Sequence, residues 1–466
     1  MKSTSSNNGR RFLLVHPGGP RRDLFDRLGR SDSPPLGILY LASSLEAAGH
    51  EVRVVDLNFP RHVDSIKPLL QKWRPHIVGL GTLAPSFQDV MGHARSIRKQ
   101  LPNDVLLIAG GPDATARTEL YTQADIFDAV LFGEAEKSIV RLADSYPTIP
   151  QGEGIIPCGQ SAGAIPEPLD SDSLPFPARH LLPLKRYRGG PAYKRRRYST
   201  SIFTHRGCAY NCSFCEKSVH HGAMRFRSAA SIHEEIRRIR RDHGIHDIRF
   251  VDDVLMISKR ILGELIDLIR YDADPFDWMC CGRIDLMDEK MLAEMKKAGC
   301  YRIEIGIESG SARVLDLVKK GTAPGQALEA MRKARVAGIE VIANFIIGFP
   351  TETGEEMAQT VDLSLKTDPD YAVYFLFTPF SDAPISKDFN LGWDDFAPGY
   401  RAPSPDYLVP SDQAQDMVDS ALRRFYFRPG YILRRLVAIR NPWIIADLAA
   451  CAGLFLYRRI KNIICS

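Results

Sequence analysis

Short apolar, β-rich runs alternate with helical segments along two stretches of this chain, and that rhythm narrows the fold more than any other feature. In the first stretch the runs are RFLLVHP (11–17), EVRVVDL (51–57), HIVGLGT (76–82), VLLIAGG (105–111) and AVLFGE (129–134). The segment PPLGILYLASSLEAAGH begins with Pro34-Pro35 and stops at Gly49, as a helix should. Nearly continuous apolar strands separated by helices predict a parallel sheet covered on both faces. We therefore expect a doubly wound (Rossmann-like) α/β domain over 11–145, preceded by a disordered 1–10.

The rhythm restarts after a Pro-, Gly- and Ser-rich segment, 146–197, which reads as a linker. The second set of runs is STSIFT (199–204), DIRFVD (247–252), DWMCCGR (277–283), YRIEIGI (301–307), EVIANFIIG (340–348) and YAVYFLF (371–377). Six βα units are too few to close an eight-stranded barrel, so a partial (βα)6 TIM-type barrel is expected over 198–390. Within it, Ser231 and Glu234 read as a capping box, Ile232, Ile236 and Ile239 as one helix face, and Gly244 as the helix end. Residues 391–466 read as a helical, basic C-terminal tail.

At 466 residues, 44% apolar and 25% charged, the composition is that of a globular protein with more than one domain. A net charge of +5 is too small to imply a nucleic-acid partner, and none is expected. The N-terminal MKSTSSNNGRR lacks the apolar region of a signal peptide, and no run approaches the roughly 18 apolar residues of a membrane span. The expected setting is cytoplasmic and reducing, where nine cysteines do not make a disulfide framework. RGCAYNCSFCEK (206–217) packs three of them, Cys208, Cys212 and Cys215, into C-x3-C-x2-C directly after the run 199–204. That is the C-terminal mouth, where βα barrels hold their chemistry. Three thiolates leave one corner of a cubane cluster open to a substrate or cofactor. The alternative is a zinc knuckle with a fourth ligand from His205, His220 or His221, although zinc motifs usually pair C-x2-C with a second pair.

With Phe214 ahead of the last cysteine, this motif resembles that of the radical S-adenosylmethionine (SAM) enzymes, and the resemblance covers about 199–380. It implies that Cys208, Cys212 and Cys215 hold a [4Fe-4S] cluster whose open iron binds the amino and carboxylate groups of SAM. One electron then cleaves SAM to methionine and a 5′-deoxyadenosyl radical. Phe214 is expected near the adenine, Asp252 and Asp253 near the SAM amino group, and Arg283 at the third strand end. Glu308 and Ser309 of GIESGS are expected at the ribose or carboxylate, and Gly348 and Pro350 of NFIIGFPTET on the adenine side. One departure is visible: His205 stands where relatives often carry serine, and it is expected to tune the site.

The first stretch resembles the cobalamin-binding domain that precedes many radical SAM enzymes, through SPPLGILYLASSLEAAGHEV, IVGLGT, IAGGPDAT and LFGEAEKS. Ligands of open α/β sheets bind beyond the carboxyl ends of the strands, and paired glycines let backbone approach them. Thr82, Gly110, Gly111, Pro112 and Gly133 are the expected lining. The motif D-x-H-x-x-G is absent, so no histidine is expected as the lower ligand of the cobalt, which agrees with this subclass.

These resemblances imply a cobalamin-dependent radical SAM enzyme that functionalises an unactivated carbon, with C-methylation the expected outcome and cyclisation, oxidation or rearrangement the alternative. The expected partners are a small-molecule or lipid-like substrate and an electron donor such as flavodoxin or ferredoxin. A methylthiotransferase would carry a second cluster on front-domain cysteines, yet the first cysteine is Cys158. A non-catalytic iron–sulfur sensor would not need the series of strand-end motifs. Cys280, Cys281 and Cys300 read as core, and Cys451 and Cys465 make no auxiliary cluster, so one cluster is expected. Residues 421–466 hold nine Lys or Arg against the single acid Asp447, mixed with aromatic and aliphatic residues. That pattern fits either peripheral contact with a membrane or a pair of helices packed on the barrel with arginines at the rim.

Overall fold

The computed structural model describes residues 9–18, 33–59, 66–83, 87–161, 166–187, 189–220, 224–391 and 411–438. The expectations for residues 1–8, His221, Cys451, Cys465 and the rest of 439–466 fall outside the described residues. The chain gathers into two compact units. One holds the described residues of 1–21, 34–184 and 217–225, and the other those of 22–33, 185–216 and 226–466.

In the first unit the strands β1 (Arg11–His16), β2 (Glu51–Asp56), β3 (Ile77–Gly81), β4 (Leu106–Gly110), β5 (Ala129–Leu131) and β6 (Ile155–Pro157) form one sheet in the order β2-β1-β3-β4-β5-β6. Alternation sends side chains of β1 to opposite faces. Phe12 and Leu14 pack with Ala42 and Leu45 of α1 (Leu36–Ala47) and with Ile139 and Leu142 of α3 (Glu136–Ser145). Leu13 and Val15 pack with Val90, Ala94 and Ile97 of α2 (Phe87–Arg98). Each such Phe, Leu, Ile or Val side chain contributes about 1.5–3 kcal/mol on full burial, so two-sided burial holds these short strands more than local propensity does. Strand order reverses between β1 and β3, which puts the crevice of a doubly wound sheet at their carboxyl ends.

Strand β6 departs from the sequence reading. It runs antiparallel to β5, with Ala129 opposite Pro157 and Leu131 opposite Ile155. It lies inside the segment read as a linker, which further contributes Ala178 to the first core. Prolines and glycines interrupt that segment too often for any periodicity to show, yet single apolar residues still find buried positions.

In the second unit β7 (Thr200–Ile202), β8 (Asp247–Phe250), β9 (Asp277–Gly282), β10 (Cys300–Glu308), β11 (Glu340–Ile347) and β12 (Tyr371–Leu376) form an all-parallel sheet in the order β12-β11-β10-β9-β8-β7. The order closes no ring, as expected of a partial barrel. Helix α4 (Ala229–His243), which packs beside α5 (Lys259–Arg270), buries Ile232, Ile236 and Ile239 and ends on Gly244 at φ 62°. Its start corrects the sequence reading. Ser228 is the N-cap and its side chain accepts from the Ser231 N–H, one turn earlier than expected. Ser231 instead accepts from the Arg227 guanidinium at 3.0 Å, and Glu234 pairs with Arg238 on the exposed face.

Among the described residues the C-terminal helices pack on the barrel. Helix α6 (Ser411–Tyr426) buries Ala414, Val418, Ala421 and Phe425. At the open edge of β12, the Tyr426 hydroxyl accepts from the Ala372 N–H (3.2 Å) and donates to its carbonyl (2.9 Å), which blunts that edge. In α7 (Pro429–Ala438) and just before it, the basic residues are engaged with acids of the barrel. Arg428 and Arg434 meet Asp368 at 2.7 and 2.6 Å, and Arg435 meets Glu340 and Asp370, both at 3.2 Å. The opposite face leaves Ile432, Leu433, Leu436 and Val437 exposed by 42–77%. No described helix is long and apolar enough to cross a membrane.

Candidate active site

The three cysteines follow β7 on one loop, with Cys212 buried and Cys208 and Cys215 half-buried. Backbone bonds pin the loop on both sides: the Ser213 N–H donates to the Val318 carbonyl, and the Ser213 carbonyl accepts from the Ile385 N–H, both at 2.9 Å. Arg283, just past β9, braces it further. Its Nη1 approaches Cys212 Sγ at 3.7 Å, its Nη2 donates to the Lys320 carbonyl at 2.8 Å, and its Cζ lies 3.6 Å from the centre of the Tyr210 ring. A fixed cation beside Sγ complements the charge of a metal-bound thiolate.

Among the described residues no three carboxylate, imidazole or thiol groups converge on one ion position. The thiolates of a cubane each meet a different iron and need no such convergence. His205 and His220, weighed as a fourth zinc ligand, are held elsewhere. His205 Nδ1 lies 3.3 Å from Thr204 Oγ1 and 3.7 Å from Asp252, and His220 Nδ1 lies 2.7 Å from Glu134. Three soft donors on a braced loop fit a [4Fe-4S] cluster.

The remaining strand ends assemble around this loop unevenly. Phe214 meets Phe349 edge-on at 5.7 Å between ring centres. Glu308, at φ 69°, folds its carboxylate back over β10 to an ion pair with Lys320 at 2.7 Å. Gly306 makes that possible, because a Cβ there would lie 1.9 Å from Glu308 Oε1. Gly348, at φ 87°, and Phe349 donate their N–H groups to Glu352. Pro350, next in the chain, is buried. Asp253 is exposed, but Asp252 is buried and its carboxylate is engaged by the Thr204 N–H and Oγ1 and by the His205 N–H. It clamps the chain entering the thiolate loop. Burial raises its pKa, opposed by those donors and by His205. Ser309 is fully buried, with Oγ bonded to Thr360 and to the Ser311 N–H. The side chains of Asp252 and Ser309 therefore hold backbone in place.

Lys320, Tyr210, Glu352 and an interior polar group were not singled out from sequence. On the barrel interior Glu304 accepts from Arg249 Nη2 (3.0 Å), the Tyr193 hydroxyl (3.2 Å) and Asn344 Nδ2 (3.0 Å). The odd-numbered apolar neighbours along YRIEIGI marked a strand with one polar face, which was the available signal for Glu304. Tyr193, in the segment read as a linker, gave none. Cys281 points to the same interior, with its sulfur 3.9 Å from Glu304, while Cys280 and Cys300 are buried.

Burial raises the Glu352 pKa from about 4.5 to about 7, against the two backbone donors. Between those values the folded chain binds more protons than the unfolded one, so this residue's contribution to stability falls as pH rises through that window. We expect the urea midpoint of the wild type to drop relative to Glu352→Gln between pH 5 and 8. Parallel pH profiles of the two proteins would exclude it.

In the first unit the five expected lining residues lie at adjacent strand ends. Thr82 Oγ1 donates to the Gly110 carbonyl (3.1 Å) and accepts from the Ala114 N–H (2.9 Å). Gly111 has φ 117°, and a Cβ there would come within 2.9 Å of the Thr82 carbonyl oxygen. Pro112 follows directly, and Gly133, at φ 71°, donates its N–H to Thr115 Oγ1. A glycine-rich backbone edge beyond the strand ends fits a large, flat ligand such as a corrin.

A thiolate loop at the mouth of an open parallel barrel, in a chain with a doubly wound unit built for a second ligand, defines the class: an iron–sulfur α/β enzyme with two cofactor-binding units. The sequence matches the Radical SAM superfamily over residues 202–364 and the B12 binding domain over residues 29–143. It is 31% identical over 442 residues to an uncharacterized methyltransferase of Pyrococcus horikoshii, covering 91% of this chain and 94% of that one. It is 27% identical to an anaerobic magnesium-protoporphyrin IX monomethyl ester cyclase of Rubrivivax gelatinosus, across 91% of this chain and 78% of that protein. In fold it is similar to the radical SAM methyltransferase TsrM of Kitasatospora setae, at a TM-score of 0.63 and 20% identity, covering 91% of this chain and 86% of that one. The chain belongs to the radical SAM superfamily, among the members that carry a B12-binding domain ahead of the radical SAM domain. Its cofactors are a [4Fe-4S] cluster, SAM and cobalamin.

Proposed function

We propose that this enzyme methylates an unactivated carbon of a small organic or lipid-like substrate. When bound, the cluster supplies the electron that splits SAM and cobalamin supplies a cobalt centre able to carry a one-carbon group. The observation that carries this reading is the braced three-thiol loop in a chain related end to end to a methyltransferase. Cys208, Cys212 and Cys215 hold the cluster, and Arg283 braces Cys212. Phe214, Asp253, Glu308, Gly348 and Pro350 bound the SAM site, with Asp252 and Ser309 positioning its backbone. Thr82, Gly110, Gly111, Pro112 and Gly133 bound the corrin. Residues 11–145 act as the cobalamin domain, 198–390 as the radical SAM core and 391–466 as an extension. The buried Arg249–Glu304 pair supports a substrate with polar groups over a bare hydrocarbon.

Anaerobic incubation with SAM labelled in its methyl group, hydroxocobalamin and a reductant tests the reading. Label recovered on cobalamin is expected. Release of 5′-deoxyadenosine with no label on cobalamin would favour the second reading, cyclisation or oxidation, which the relation to a cyclase supports. A flavodoxin- or ferredoxin-type protein is the proposed electron donor. Membrane contact, tested by co-sedimentation with liposomes, would fall to the apolar face of α7 and to 439–466, because the described arginines of α7 are engaged by acids.

A further inference from the structure

In the second unit, alternation along the strands separates side chains that face the helices from those that face the barrel interior. Across that interior Glu304 of β10 joins Arg249 of β8 and Asn344 of β11, each at 3.0 Å, and accepts from the Tyr193 hydroxyl at 3.2 Å. The amino-terminal end beneath them is closed. Tyr193 packs with Met279, Ile342 and Tyr371 in one buried cluster, and Arg302 donates to the Pro191 carbonyl at 3.3 Å. Toward the carboxyl ends the burial changes. The helix-facing Phe250, Ile305, Phe345 and Tyr374 are buried, while the interior-facing Arg249, Gly306, Ile346 and Val373 are half-buried and Phe375 is 47% exposed. Exposure on one face of strands whose other face is buried marks a hollow in the barrel, open toward the carboxyl ends.

The hollow has two chemically different sides. On its floor the side chains of Arg249 and Glu304 keep 13% and 11% of their surface open. The two cancel each other's charge. Three donors already bond the Glu304 carboxylate, so the floor's spare capacity is N–H groups of Arg249 and Asn344. An ionised group arriving there would lose its water and meet no net counter-charge, which disfavours it. The wall along β11 and β12 is apolar: register sets Val373 beside Asn344 and Phe375 beside Ile346. Ile346 packs against the same apolar cluster as Phe214, so the hollow adjoins the proposed SAM site.

We propose that the substrate is a neutral amphiphile: its apolar part lies on Val373 and Phe375, its uncharged oxygen function, a hydroxyl or carbonyl, accepts from Arg249 and Asn344, and Glu304 sets the specificity by cancelling the arginine's charge. This deepens the proposed function and rests on its placing of the SAM site. The full chain, reconstituted with its cluster, is titrated anaerobically at pH 7 with 1-octanol, octanoate and octylammonium, and binding is read by saturation-transfer NMR. Wild-type protein is expected to bind octanol at least about tenfold more tightly than either charged probe. Glu304→Gln leaves the arginine unbalanced and should move the preference to octanoate. Arg249→Met leaves the carboxylate unbalanced and should move it to octylammonium, and Phe375→Ser should weaken octanol binding. Misfolding cannot produce opposite shifts in two variants. A wild type that prefers a charged probe or binds none, or a preference that Glu304→Gln does not move, overturns the assignment. The labelled-methyl experiment on the same preparation separates the two readings. Label on cobalamin with the wrong preferences sinks the substrate class alone. The expected preferences without label sink methyl transfer and leave the substrate class standing for cyclisation or oxidation.

Discussion

Replacing Cys208, Cys212 and Cys215 together by alanine is expected to take iron from about four atoms per chain to background and to abolish SAM cleavage under dithionite. The cysteines sit on a loop held by backbone bonds of Ser213 to Val318 and Ile385, and those bonds do not need the thiols. Circular dichroism should therefore show an intact α/β fold. Among single variants, Cys212→Ala should be the most damaging, because Cys212 is the buried member and the one beside Arg283. Arg283→Met should leave the loop in place yet weaken cluster loading, since the positive charge beside the thiolate ligand is gone while its bulk remains. A triple variant that kept its iron and its turnover would end the catalytic reading.

The second large effect concerns stability. Glu235→Leu is expected to destabilise the second unit by about 3–5 kcal/mol, the usual result of stranding a buried charge. Arg227 and Glu235 pair at 2.5 Å with side chains only 4% and 2% exposed. Arg227 also donates to the Phe203 carbonyl at 2.9 Å and to Ser231 Oγ at 3.0 Å, so it ties the chain beyond β7 to the start of α4. With Glu235 gone, that guanidinium loses this charged partner and keeps the Phe203 carbonyl and the Ser231 oxygens as neutral acceptors. The double variant Arg227→Leu with Glu235→Leu should recover most of the loss, because an apolar pair of similar volume can replace a buried ion pair at little cost. Urea denaturation of the three proteins measures this. A midpoint for Glu235→Leu equal to that of the wild type would show that water reaches the pair.

How far the site could be read beforehand varies with the kind of signal. The strands were legible because burial on both faces leaves runs such as FLLV and VLLI that few other structures require. The thiol loop was legible because ligand spacing is local. The start of α4 was misplaced by one turn because Ser228 and Ser231 are both able to cap and only the position of Arg227 selects between them. Glu308 and Asp252 looked alike from sequence, as acids at strand ends. In the fold one pairs with Lys320 beside the site, and the other is consumed by the backbone of Thr204 and His205.

The sequence by itself determined the two α/β trains, the open barrel, the thiol trio and the family whose cofactors it uses, since periodicity and spacing are properties of neighbouring residues. Tertiary structure decided what depends on residues far apart in the chain. It added β6 as an antiparallel edge, and it set Tyr193, Arg249 and Asn344 around Glu304. It turned the tail arginines toward Asp368, Glu340 and Asp370, and it brought His220 onto Glu134, 86 positions away. Such pairings carry no repeat along the chain. They form because a buried charge or polar group must find a partner, and which partner lies within reach is settled only when the strands are in register.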